Sequence, residues 1–538
     1  MELLTPQQIW KGYDASALPL FVSVLADRKE GERRIVTAYF NGPTTTDGVV
    51  RVFARCTVPA GKGRYPAVIF MPDVGRRADT DVERLSGLGY AVIVPDYAGV
   101  RDDDPGYTIY PRSLGVANYA PERVTEYPSD MRFNCWNVWA EIAMRTVTYA
   151  AGLDFVDASR IAVMGEGIAS SAALKAAVLD KRLSCAVTLY SSGFSDDRND
   201  DPNYLMYKVA LADEAYAPMV SVPLLMMIAS NDSDGRADAM SEVYSLVPES
   251  TGSRLSVSER SNRAIGVKQR MTPVLWLARY LKGKGDVPSE PVLTASASER
   301  KLYYSVKADP SCEVELFVSR GTDEPQLRNW SKAKLMLVGE GEYIAHVDVY
   351  SAKEKIYAFA NARSPEGMSV SSPILERLPA QMGIAETPLT NSRLIYDGDM
   401  GTDDWTEDAA LAEENTLGMS TGPFGINGVT AVGTFGTFKL GDPVFRGKDG
   451  YLLQIMLYSP ERQNVTITIT ASVKSKTGAR YAEFSYSAAV DPDDNWRKLT
   501  LEASDFKSPY GVCESWEDVF GMRIGGASPV IVASLLWV

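Results

Sequence analysis

The segment Arg160-Ile161-Ala162-Val163-Met164-Gly165-Glu166-Gly167-Ile168-Ala169-Ser170 constrains this chain more than any other. A short apolar run with β-branched residues stops at two glycines one residue apart, and small residues follow at once. Runs of this kind form strands buried on both faces of a sheet. Glycine there permits a turn closed to other residues. The small residues then let a helix pack closely on the strand it leaves. A strand, tight turn and helix in this order belong to a parallel sheet, because the next parallel strand is reached only by a crossover.

The same alternation recurs around it. An apolar run over 65–71 ends in Pro72-Asp73-Val74-Gly75, a helix follows, and 89–97 is again strand-like. Residues 136–151 place Trp139, Ala143, Val147 and Ala150 on one helical stripe. Strands are expected over 184–190, 222–228 and 254–258, with a closing helix over 269–281 and two β-rich segments, 34–40 and 49–55, ahead of the first buried run. The Pro-, Asp- and Tyr-rich stretch 100–130 is expected to be a long loop over a site. Residues 192–220 are expected to form an inserted cap.

After Lys284 the pattern changes to short alternating strands, expected over 301–307, 313–319, 334–337, 343–350 and 355–360. A polar stretch over 376–388 precedes a third region, in which 465–470 alternates strictly between apolar residues and threonine. The expected fold class is therefore multidomain. A mostly parallel sheet with helices on both faces spans 1–285, and all-β sandwiches span 286–380 and 389–538. The 538 residues are too many for one core and fit about three domains.

The chain is 45% hydrophobic and 23% charged, as a globular protein is. Its net charge of −14 argues against nucleic acid and anionic membrane as partners, since both select basic surfaces. No apolar run reaches the ~18 residues of a membrane span. Residues 1–6 lack a basic start and an apolar segment, and the five cysteines fall in no pairing motif. A cytoplasmic, reducing setting is expected, although a processed N-terminus would look the same.

The order of elements in the first half resembles the dienelactone-hydrolase and acetylxylan-esterase branch of the α/β-hydrolases. Two stretches carry the resemblance. One is V-D-x-x-R-I-x-V-x-G, here Val156 to Gly165. The other is the frame G-E-G-I-A, where that family has G-x-S-x-G at its nucleophile elbow. The second region has immunoglobulin-like size. The third, through W-x-x-L-x-L-x-x-S-D-F from Trp496 to Phe506, resembles jelly-roll carbohydrate-binding modules.

The resemblance implies a nucleophile at Gly167, an acid at Asp232 with Asp234 as its neighbour, a base at Asn262 or Arg263, and an oxyanion segment at Asp73 and Val74. Glycine has no side chain to attack with. Neither asparagine nor arginine takes a proton at pH 7. A carboxylate at Asp73 opposes a developing oxyanion. The triad is thus expected to be vestigial, with no catalytic residue intact. The expected role is binding or assembly on a hydrolase scaffold, directed at carbohydrate. An active carbohydrate esterase with a non-standard site and a structural, self-assembling protein are the alternatives.

Other candidates are weaker. The chain has a single histidine, His346, and strand alternation puts it on the polar face with Asp348. Ser170 and Ser171 sit on the helix after the elbow and point away. Glu166 and Asp232 form a conceivable carboxylate pair, with a capping glutamate the blander alternative. Asp397, Asp399, Asp403 and Asp404 have calcium-type ligands but read first as a polar turn. Sugar binding would use exposed rings, for which Trp405, Tyr451, Tyr458, Tyr486 and Phe484 are candidates, although most such rings fill cores. No cofactor and no metal are expected. Carbohydrate and self-association are the partners left open.

Overall fold

The computed structural model describes residues 3–99, 107–114, 131–190, 202–385, 389–407, 416–473 and 480–538. The expected loop over 100–130 and cap over 192–220 therefore lie partly outside the described residues.

Strands β1 (Ser23–Glu30), β2 (Arg33–Thr44) and β3 (Val49–Val58) form an antiparallel meander. The apolar runs follow as β4 (Tyr65–Met71), β5 (Ala91–Pro95), β6 (Val156–Glu166), β7 (Leu183–Leu189), β8 (Leu224–Ala229) and β9 (Arg254–Ser258). The sheet order is β1-β2-β3-β5-β4-β6-β7-β8-β9, and every pair from β5 to β9 is parallel.

The helices are α1 (Pro6–Ile9), α2 (Asp79–Gly87), α3 (Cys135–Ala151), α4 (Ala169–Leu179), α5 (Pro202–Ala210), α6 (Asp213–Tyr216), α7 (Ala237–Ser245) and α8 (Thr272–Lys282). Residues of α3, α4 and α7 close one apolar core against the sheet, and residues of α2 and α8 close the other. This is an α/β-hydrolase-like arrangement. From β4 the chain steps one way to β5, then crosses back to β6 on the other side. The carboxyl ends of β4 and β6 thus flank the point where strand order reverses, which is where open α/β sheets form their crevice.

The middle region supplies β10 (Val292–Ser298), β11 (Lys301–Lys307), β12 (Glu313–Arg320), β13 (Ser331–Ala333), β14 (Met336–Gly339), β15 (Glu342–Asp348), β16 (Ile356–Arg363), β17 (Ser369–Ser371) and β18 (Leu375–Arg377). One layer is the sheet β10-β11-β15-β14. The other is not separate. It extends the large sheet through β9-β17-β16-β12-β13, where Ser371 faces Leu255. Ser371 Oγ accepts from Val257 N–H at 2.7 Å, and Asn361 Nδ2 donates to Val257 O at 3.2 Å. The strand expected over 334–337 begins two residues late, because Lys334 and Leu335 carry the chain from β13 in one layer to β14 in the other.

In the last region, Leu453–Tyr458 and Ile531–Trp537 share one sheet, and Gln463–Ser472, Tyr481–Val490 and Val519–Gly525 share a second. The Ile/Thr alternation buries Val465, Ile467 and Ile469 and leaves the threonines on the outer face. Trp405, Trp516 and Trp537 fill the space between the sheets. This region docks on the middle one through buried polar contacts. Arg320 Nη1 lies 3.3 Å from the Asp442 carboxylate, Asn329 Nδ2 donates to it at 3.2 Å, and Arg446 pairs with Glu354 at 2.8 Å. Among the described residues no helix is long and apolar enough to cross a membrane.

Candidate active site

The turn from β6 into α4 is built as the glycine frame requires. Gly167 sits at φ +55°, in the left-handed region. Its N–H donates to Leu189 O at 2.9 Å. A Cβ at Gly165 would collide with the Ala169 carbonyl, so only glycine lets α4 pack this closely on β6. Ser170 is fully buried, with Oγ 2.8 Å from Leu189 O and 3.1 Å from Gly165 O. It holds the turn together and cannot reach the crevice.

Across the crevice, the loop after β4 sends Asp73 into the space above Gly167. A Cβ built on Gly167 would fall on the Asp73 carboxylate, far inside van der Waals contact. Asp73 Oδ1 accepts from Ile168 N–H at 3.2 Å and from its neighbour Val74 N–H at 2.9 Å. In the hydrolase pattern the N–H after the nucleophile serves the oxyanion. Here the N–H after Gly167 donates to the Asp73 carboxylate. Val74 itself is exposed.

Of the two candidate base positions, Arg263 faces the site and Asn262 does not. Arg263 pairs through Nη2 with Asp73 and through Nη1 with Asp234. Asn262 Oδ1 accepts from Ser233 N–H at 3.1 Å. The positions singled out in the sequence therefore meet in one arrangement. The Asp73 carboxylate lies over Gly167, and the Arg263 guanidinium pairs with it.

Asp232 is fully buried at the end of β8. Its Oδ1 accepts from Asp234 N–H at 2.8 Å and Gly235 N–H at 2.9 Å, the geometry of a turn-capping aspartate. Its Oδ2 has no hydrogen-bond partner among the described residues. Burial pushes the carboxyl up to about 7. The Gly235 hydrogen bond and the Arg263 charge oppose that rise, and the Asp73 charge adds to it. Glu166, also buried, pairs with Arg76, which reaches Asp81 at 3.1 Å. It is thus a paired carboxylate beside the elbow.

Two features went unread in the sequence. Arg76 as the partner of Glu166 had only the generic signal of a basic residue after the first buried strand. The second is a buried cluster on α4 and α6. Lys175 Nζ donates to Ser171 Oγ at 2.6 Å, and Ser171 Oγ donates to Asp213 Oδ1 at 2.6 Å. Burial lowers the Lys175 amine and raises the Asp213 carboxyl from their ordinary values. The Ser/Lys spacing of four on a helix was its only trace.

The remaining candidates are dispersed. His346 lies exposed on β15 opposite Tyr303, away from the crevice. Trp405 corrects the expectation of an exposed sugar platform. It is 3% exposed and packs between Tyr396 and Phe435, because a large ring gains most by filling the core. Phe484 is buried, and Tyr486 shares its inward face against Phe506. Tyr451 packs on Trp537 with Arg393 over its ring, and Tyr458 points outward beside Trp496 on the other sheet. These rings form no common face. Asp404 pairs with Lys439 Nζ at 2.5 Å, and Asp397 Oδ1 caps Asp399 N–H at 3.0 Å. No group of three or more metal-ligating side chains occurs among the described residues. The outer face of the second sheet instead carries a shallow polar cavity of about 310 Å³, lined by Thr434, Asn464, Thr466, Thr468, Arg523 and Gly525.

The Gly167–Asp73 contact gives a measurable coupling. Gly167→Ala is expected to cost on the order of 3 kcal/mol. About 1 kcal/mol comes from alanine in the left-handed region and the rest from displacing a carboxylate that accepts charged hydrogen bonds. In an Asp73→Ala background only the backbone part, ~1 kcal/mol, remains. Urea denaturation of the two single variants and the double variant measures this, and additive costs would show that the two residues do not touch.

No protein-family model matches the chain, and no curated protein matches it. Solved structures do. An acetyl xylan esterase from Paenibacillus sp. R4 is 16% identical with a TM-score of 0.39, over 50% of this chain and 91% of that one. Acetyl Xylan Esterase 1 from Thermoanaerobacterium sp. JW/SL YS485 is 14% identical with a TM-score of 0.34, over 50% and 90%. A glucuronoyl esterase from Solibacter usitatus is 16% identical with a TM-score of 0.35, over 49% and 85%. Each is similar to about half of this chain. The assignment of the fold rests on the strand order and helix placement described above.

Proposed function

We propose that this chain is an α/β-hydrolase-fold protein that does not hydrolyse esters and works in binding or assembly. One observation carries the reading. The Asp73 carboxylate, paired with Arg263, fills the space a nucleophile on residue 167 would need and engages the Ile168 N–H an oxyanion would need. Acyl transfer requires a nucleophile with a base in reach and a free oxyanion site. A neutralised carboxylate offers neither. The carbohydrate direction is supported by the polar cavity on the last sandwich, where hydroxyl, amide and guanidinium groups surround bare backbone at Gly525.

The expected result with p-nitrophenyl acetate is turnover no faster than that of the denatured chain. Saturable turnover lost on replacing Asp73 or Glu166 would instead establish an esterase with a non-standard site. Retention on glycan arrays that falls with Arg523→Ala tests the carbohydrate part.

A further inference from the structure

The shallow cavity of the last region lies over the paired strands Gln463–Ser472 and Val519–Gly525. Thr466 and Thr468 project from the outer face of the first strand, ~7 Å apart along it. On the second strand Arg523 stands opposite Thr468, and Gly525 stands opposite Thr466. A Cβ on Gly525 would lie 2.5 Å from Thr434 Oγ1, so glycine keeps the floor of the cavity open. Asn464 adds an amide beside Thr466. Among the described residues the lining holds no aromatic ring and no carboxylate.

This composition discriminates between sugars. A neutral sugar finds no ring to stack on. It gains only neutral hydrogen bonds, which replace bonds to water and are worth little net. A sugar with a carboxylate gains more, because a planar carboxylate meets a guanidinium through charge-assisted, parallel bonds. Arg523 is the one charged group in the lining. It pairs through Nη2 with Glu483 on the strand Tyr481–Val490, and Glu483 lies outside the lining. The Arg523 and Glu483 side chains are 35% and 59% exposed, so water screens the pair and it holds Arg523 only weakly.

We infer that this cavity takes an acidic sugar, a hexuronate residue whose carboxylate meets Arg523 while its ring hydroxyls meet Thr466, Thr468 and Asn464. The inference rests on the carbohydrate part of the proposed function and names the class of sugar. The cavity volume of about 310 Å³ is at the small end of ligand sites, which suits a sugar residue rather than a broad surface. Glu483 competes with the ligand for the guanidinium, so it opposes an acidic sugar and leaves a neutral one unaffected.

Isothermal titration of the full chain with a galacturonic acid trimer, and with the same trimer after reduction of its carboxyls to alcohols, tests this. The acidic trimer is expected to bind about tenfold more tightly than the neutral one. Arg523→Gln is expected to weaken the acidic trimer by about tenfold, and Glu483→Gln to strengthen it by about threefold. Raising the salt from about 50 to 500 mM is expected to weaken it several-fold. Equal affinity for the two trimers, lost on Arg523→Gln, overturns the inference and leaves the carbohydrate reading standing. Acidic-trimer binding that ignores Arg523→Gln, or that weakens on Glu483→Gln, also overturns it. Binding of neither trimer overturns the inference, and silence on glycan arrays as well would take the carbohydrate reading with it.

Discussion

Replacing Arg328 with alanine is expected to cost about 3–5 kcal/mol, the penalty for breaking a buried ion pair from one side. Arg328 is fully buried between β12 and β13. Its guanidinium makes two parallel bonds to Asp238 on α7, at 2.5 and 2.7 Å. It also donates to Thr322 O at 3.3 Å and Asp323 O at 3.2 Å, and lies 3.4 Å over the Tyr357 ring. Alanine leaves two carbonyls without that donor, a carboxylate without its counter-charge and a void beside an aromatic ring. Because Asp238 belongs to the hydrolase-like half and Tyr357 to the middle region, the loss falls on the joint between them. Urea denaturation followed by tryptophan fluorescence should show an earlier transition, separated from that of the last sandwich. Asp238→Asn keeps an acceptor but leaves the fully buried guanidinium without its counter-charge, and is expected to cost a comparable amount, about 3–5 kcal/mol. A much smaller cost for Asp238→Asn would place the energy in the packing and hydrogen bonds of Arg328 rather than in the ion pair.

The joint also marks where sequence reasoning stops. The parallel strands were legible because burial on both faces writes itself as continuous apolar runs, such as β4 and β8. The elbow was legible because Gly167 and Gly165 answer local requirements of backbone angle and close packing. The passage of the large sheet into the middle region was not legible. Ser371 meets Leu255 through backbone groups that any residue carries. The pairing of Asp73 with Arg263 spans 190 positions. In the sequence each reads as a separate change, since nothing local says that the β4 and β9 loops converge. Trp405 shows the complementary limit, as its identity suits a sugar platform and a core equally. Depth decides between them.

Asp232→Asn is expected to stabilise the protein at pH 8 while leaving it unchanged near pH 3.5, and the sign follows from burial. The unfolded carboxyl titrates at 3.8 and the folded one at about 7, so the folded state binds the proton more tightly. The contribution of this group to stability is full below 3.8. It is lost progressively as pH rises to about 7 and stays lost above. Three pK units correspond to about 4 kcal/mol. Asparagine carries no charge to desolvate and can still accept from Asp234 and Gly235 through Oδ1. Its amide also presents an unpartnered donor where protonated Asp232 does, at Oδ2. The two chains are therefore equivalent at low pH and diverge between 3.8 and 7, with the variant ahead by up to about 4 kcal/mol. Taking the difference between the two denaturation curves at each pH cancels every other titrating group. A gap that does not change with pH would mean that Asp232 stays ionised as an ordinary turn cap. Its unpartnered oxygen would then be solvated, and the crevice below Arg263 would be open to water.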